Sequence, residues 1–87
     1  MLRENRHRLE IMRDVCSAII SGNKIFTHII MASRLTFVQS KEYLKILSDN
    51  KLIIISKNDA GQTIYEITDK GLEFNTMVTN ALDMVKE

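Results

Sequence analysis

The chain has 87 residues, 45% of them hydrophobic and 26% charged, which is too apolar for a disordered segment and too short for two cores. A domain of this size covers only about 60–65% of the surface its unfolded chain exposes, so a large catalytic cleft is not expected and leftover apolar surface calls for a partner. The formal charge of +1 does not by itself announce a nucleic-acid binder.

From Asn5 to Ser21 the apolar residues Leu9, Met12, Val15, Cys16, Ile19 and Ile20 recur at three- and four-residue steps, predicting a core-facing helix that Gly22 ends. A brief second helix carrying Ile29, Ile30, Met31 and Ala32 is expected to start at an N-cap on Thr27, and Ser33-Arg34-Leu35 then reads as a turn. Thr36-Phe37-Val38-Gln39 has the form of a capping box and opens a third helix. At 100° per residue, Phe37, Ser40, Leu44, Leu47 and, at the margin, Tyr43 share the inward side, while Val38, Glu42, Lys45 and Asp49 face water. Leu52 to Ser56 is short and β-branched, Lys57 to Gln62 is turn-rich, and Thr63 to Ile67 alternates, so these form a β-hairpin with a polar tip. Thr68 or Asp69 caps a last helix running close to the end of the chain.

Residues 1–58 hold 10 Lys and Arg against 5 acids, and residues 59–87 hold 2 against 6. A chain polarised this way can turn a basic face to phosphates with its acidic end pointing away. Arg3, Arg6, His7, Arg8 and Arg13 make the start the most basic short stretch, readable as a flexible arm or as a solvated helix start. Cys16 is the single cysteine and falls in the buried stripe of the first helix, so it reads as a small core residue in a reducing, cytoplasmic and nucleoid-associated setting. No apolar leader opens the sequence and no run reaches the roughly 20 apolar residues that cross a bilayer, so no membrane partner is expected. His7 and His28 lack companions at metal-ligand spacing, and there is no glycine-rich phosphate loop, paired carboxylate or nucleophile motif. Neither a metal, a cofactor nor an enzymatic activity is predicted.

The order helix, helix, turn, helix, hairpin, helix is that of a winged helix-turn-helix domain, an α+β fold, mainly helical, with a two-stranded wing and an extra C-terminal helix. Tyr43-Leu44 in the third helix, Leu52-Ile53 entering the wing, and Tyr65, Ile67, Thr68, Lys70, Gly71 and Glu73 leading into the last helix sharpen this. In these residues the chain resembles the small archaeal winged-helix regulators of transcription, over nearly its whole length from about Leu9. Two positions depart from that pattern: Ser40 stands where leucine is usual, and Asn50-Lys51 replaces a Lys-Gly pair, with Asn50 expected to adopt the left-handed conformation. The expected organisation is a DNA-binding domain over 1–68 and a dimerisation helix over 69–87 packed on it.

Double-stranded DNA and a second copy of the chain are the expected partners. Thr36, Val38, Gln39, Lys41, Glu42 and Lys45 form the exposed set at the start of the third helix. Gln39 is placed to bond an adenine edge, or alternatively only to complete the capping box; Val38 or the Thr36 methyl can meet a thymine methyl. Arg34 in the turn and Lys57, Asn58 and Gln62 in the wing are the phosphate or minor-groove candidates. Phe74, Val78, Ala81 and Val85, widened by Met77 and Met84, make the stripe expected to pair two copies, and the resemblance implies dimerisation through the same helix. The rival reading is a winged-helix module that binds protein instead of DNA.

Overall fold

The structure, a computed structural model, describes residues 7–85. Asn5 and the arginines at 3 and 6 lie outside the described residues; the first helix begins at Arg8, capped by His7, whose Nδ1 accepts from the Leu9 amide at 3.1 Å. Four helices and one hairpin follow in the order α1 (Arg8–Ile20), α2 (Phe26–Ser33), α3 (Phe37–Asp49), β1 (Ile53–Lys57), β2 (Thr63–Ile67) and α4 (Asp69–Met84). The chain thus has the α+β, mainly helical architecture expected, with the hairpin as wing and α4 as the additional helix.

Helix α1 is the centre of the fold. Its Ile11, Met12, Val15, Cys16, Ala18 and Ile19 are buried, and they meet Ile29 of α2, Leu35 of the turn, Tyr43, Leu44 and Leu47 of α3, and Leu52 and Ile53 at the base of the wing. Gly22 supplies a φ of +110° just past the helix end, where side chains other than glycine are strained. Two side-chain bonds tie α4 across α1: Ser17 Oγ donates to Asn75 Oδ1 at 2.9 Å, and Arg13 donates to Thr79 Oγ1 at 3.3 Å.

The strands pair antiparallel, with Ile53 opposite Ile67, Ile55 opposite Tyr65 and Lys57 opposite Thr63. The amide of Tyr65 also donates to the Lys24 carbonyl at 2.9 Å, which anchors the hairpin to the segment between α1 and α2. The wing-to-α4 junction is dense in hydrogen bonds. Thr68 Oγ1 accepts from the Gly71 amide at 3.0 Å and lies 2.8 Å from the Lys51 and 3.0 Å from the Leu52 carbonyl oxygens, while Lys70 Nζ donates to the Asn50 carbonyl at 3.0 Å. One threonine therefore caps α4 and fastens it to the end of α3, using carbonyls that no helical amide reaches.

Four local expectations are corrected. The N-cap of α2 is Ile25, with no side-chain bond, and Thr27 sits within the first turn; the amide of Ile29 is served by the Ile25 carbonyl instead. Phe37 is 60% exposed although the helical wheel put it inward, because it lies in the first turn of α3, where the helix overhangs the core. Lys51 takes the left-handed conformation at φ +61°, whereas Asn50 stays at φ −93° and donates its side-chain amide to the Ile46 carbonyl at 2.8 Å. The first strand begins at Ile53, since the Leu52 amide is spent on the Leu47 carbonyl at the end of α3.

Candidate nucleic-acid interface

Helix α3 begins where the sequence dictates. Thr36 Oγ1 accepts from the Gln39 amide and Gln39 Oε1 accepts from the Thr36 amide, both at 3.1 Å, so the reciprocal box is closed. The turn before it is set by Arg34, which sits in the left-handed region at φ +55° and closes α2 through a 2.9 Å bond to the Ile30 carbonyl. These two devices fix the angle at which α3 leaves the core.

The two sides of α3 then separate cleanly. Ser40, Tyr43, Leu44 and Leu47 are buried, while Thr36, Val38, Gln39, Lys41, Glu42, Lys45 and Asp49 are exposed. Lys45 pairs with Asp49 at 3.0 Å, one turn along the same helix. Lys41 lies over the Phe37 ring, 5.5 Å from its centroid, a cation–π contact. Phe37 in turn meets Phe26 edge-on, with centroids 5.2 Å apart and ring planes at 81°. A period count places Phe37 inward because the count does not register where a helix outruns its core.

The wing tip is organised by Asn58. Its Oδ1 accepts from the amides of Ala60 at 3.0 Å and Gln62 at 2.9 Å, and its Nδ2 donates to Gln62 Oε1 at 3.2 Å. With Gly61 at φ +80° and its amide bonded to the Asn58 carbonyl, the tip is a tight, self-satisfied turn. Lys57 precedes it, exposed, with Nζ 3.4 Å from Thr63 Oγ1.

The expected dimer stripe divides in two. Phe74 packs against the core and Val78, at 8% exposure, is buried within the chain, whereas Met77 at 65%, Ala81, Met84 and Val85 at 68% stand in solvent. Among the described residues no three His, Cys, Asp or Glu side chains gather in a metal-binding group. Cys16 is fully buried and its thiol is pushed up to about 12 by desolvation. No helix of the described residues is long and apolar enough to cross a membrane.

A helix held by the core along one side and presented to water along the other, followed by a two-stranded wing, is the arrangement of winged-helix DNA-binding regulators. The chain belongs to the winged helix-turn-helix family, whose profile matches residues 5–86. Its structure is similar to that of Sso10a-2, a DNA-binding protein from Sulfolobus solfataricus, with a TM-score of 0.81 and 26% identity over 91% of this chain and 81% of that one. AF1382 from Archaeoglobus fulgidus is similar at a TM-score of 0.71 and 13% identity, over 93% and 92% of the two chains. ZitR, a zinc-responsive MarR family member of Lactococcus lactis, shares the fold at a TM-score of 0.69 and 15% identity. The chain covers 54% of that protein's length. No curated protein matches the sequence.

Proposed function

We infer that the protein is a transcriptional regulator that binds duplex DNA as a homodimer, with α3 in the major groove and the wing along the adjacent backbone. The observation that carries this reading is the outer side of α3, which opposes the buried Ser40, Tyr43, Leu44 and Leu47 and presents Val38, Gln39, Lys41 and Lys45 to solvent. The similarity to Sso10a-2, described as DNA-binding, supports it.

Lys41, Lys45, Lys57 and Arg34 supply the phosphate contacts, which position the helix without reading sequence. Val38 is the apolar reader for a thymine methyl. Gln39 has its Oε1 committed to the Thr36 amide, so a bidentate adenine contact requires the capping box to open; its Nε2 can donate to a base or phosphate acceptor with the box closed. Asn58 and Gln62 are bonded to each other and act chiefly by shaping the tip that carries Lys57. Two copies joined through α4 would place their α3 helices about one helical turn of DNA apart, or a multiple of it.

The test is duplex binding across a salt series, followed by selection from random duplexes. Affinity that falls steeply with salt, and enrichment of a two-fold symmetric site, are the expected results. No binding at low salt would move the protein to the rival reading, a module that recognises protein.

A further inference from the structure

A trough of about 370 Å³ lies between α3 and the wing, within the roughly 300–1,000 Å³ typical of small-molecule sites. Its walls are Phe26, Phe37, Leu44, Ile55 and Tyr65. Three of these five are aromatic. Phe26 and Phe37 brace each other edge to face, and Ile55 and Tyr65 are cross-strand partners on one face of the hairpin. The apolar walls are therefore already in position, so little ordering is needed on binding.

The rim carries charge in a defined ratio. Lys41 and Lys45 stand one turn apart on α3, with Asp49 a further turn on. Asp49 pairs with Lys45 at 3.0 Å, while Lys41 meets no carboxylate among the described residues and rests on the Phe37 ring. Two ammonium groups and one carboxylate leave a single positive charge beside the apolar walls. That balance suits one carboxylate better than a phosphate dianion, and the ring-lined walls suit a flat apolar body.

We propose that this trough binds a planar aromatic monocarboxylate, its ring between the aromatic walls and its carboxylate on Lys41, and that an occupied trough opposes duplex binding. The antagonism rests on the DNA-binding reading, because it arises from Lys41 serving either the ligand or a phosphate. The ligand site does not rest on that reading. By linkage, each partner weakens the other by the same factor.

The experiment titrates the intact protein with 2-naphthoate, following backbone amide resonances, with 2-naphthamide and cyclohexanecarboxylate as controls. Saturating shifts clustered on Phe37, Lys41, Leu44, Ile55 and Tyr65, half-complete at roughly 0.1–1 mM, are expected for a ligand of this size in a preformed site. The neutral amide and the non-planar acid should each bind several-fold more weakly. Lys41→Gln should lower naphthoate affinity by about tenfold and erase the preference over the amide. Ile55→Glu, a second exposed position, should abolish the shifts with the helical circular dichroism unchanged. Shifts that do not saturate, that fall elsewhere, or that are equal for naphthoate and naphthamide would overturn the site. In the presence of duplex, saturating naphthoate should weaken DNA binding several-fold; a protein that binds duplex with unchanged affinity would overturn the antagonism alone. Naphthoate binding without duplex binding at any salt would overturn the regulator reading and leave the trough assigned.

Discussion

Gly71 of α4 lies directly against the carbonyl oxygen of Leu52, so close that a Cβ at this position would collide with that oxygen and come within 2.6 Å of Ile67 Cδ1. The contact lets Thr68 reach the Lys51 and Leu52 carbonyls while it caps α4. The Thr-x-Lys-Gly run is thus a single joint in which threonine bonds, lysine caps the preceding helix and glycine provides the clearance.

Gly71→Ala gains about 1 kcal/mol of helix propensity but forces α4 off a backbone oxygen, and overpacking of this kind costs roughly 1–3 kcal/mol or more. A rigid carbonyl cannot yield as a side-chain tip can. The expected net effect is a loss of about 1–2 kcal/mol, read from the midpoint of urea unfolding; an unchanged or raised midpoint would show that the joint relaxes freely.

Ser40 is 1% exposed, and its hydroxyl has no hydrogen-bond partner among the described residues. An unsatisfied buried hydroxyl costs about 1–3 kcal/mol, and alanine is also the better helix former. Ser40→Ala should therefore stabilise the protein by about 1–2 kcal/mol, raising the thermal midpoint with the fold intact. A lowered midpoint would show that the hydroxyl contributes a hydrogen bond to the folded state.

How much of this was readable beforehand differs by element. The capping box on Thr36 and the turn at Gly61 were legible because each rests on residues within three or four positions of one another. The exposure of Phe37 and the inward turn of Phe74 and Val78 were not, because both depend on where α1 ends up relative to α3 and α4. Lys51, not Asn50, adopts the left-handed conformation because Asn50 is held at φ −93° by backbone and side-chain bonds to Ile46. The candidate DNA face was visible as a set of polar residues on α3, yet the trough beside it was hidden, since Ile55 and Tyr65 reach it only through hairpin register.

Cys16 offers a check on the core by pH. Its thiol is raised from 9.0 to about 12 by burial, so above pH 9 the unfolded chain loses a proton that the native chain keeps. Stability from this group is complete below pH 9 and falls as pH rises toward 12, by about 1.4 kcal/mol per unit. Tyr65, also raised by burial, adds to the decline at higher pH. The slope of unfolding free energy between pH 10 and 11 should be shallower in Cys16→Ala than in the parent by about that amount; equal slopes would place the thiol in contact with solvent.

The phosphate and base candidates should separate by kind. Lys57→Ala and Lys41→Ala should weaken all duplexes alike and reduce the salt slope by about one each. For Arg34 the informative change is to glycine, because φ +55° favours glycine and Arg34→Gly removes the guanidinium with no added strain. It should lower the slope by about one, as loss of a phosphate contact does. Val38→Ala should instead change preference among sequences by roughly 1 kcal/mol. Gln39→Ala loses both the cap and any base contact, so a uniform loss with a lower thermal midpoint marks the cap, and altered sequence preference marks the base.

The proposed homodimer depends on which part of α4 remains available. Phe74 and Val78 are spent on the core, so a charge at Val78 would unfold the domain whether or not two copies pair. Met77, Ala81 and Met84 follow at four- and three-residue steps, the spacing of a coiled-coil seam, with Val85 beside them. The small Ala81 between two methionines lets helices approach closely, and the flexible methionines fill the gaps on either side. A helix of 16 residues is about 24 Å long, sufficient for an antiparallel pair in which each Met77 meets the partner's end of the seam. Met77→Glu and Met84→Glu together should therefore yield a monomer by light scattering while circular dichroism and the thermal transition persist, and operator affinity should fall because two half-sites no longer bind as one. A monomeric parent, or a dimer that survives both charges, would remove α4 from the assembly and leave each winged helix to bind DNA alone.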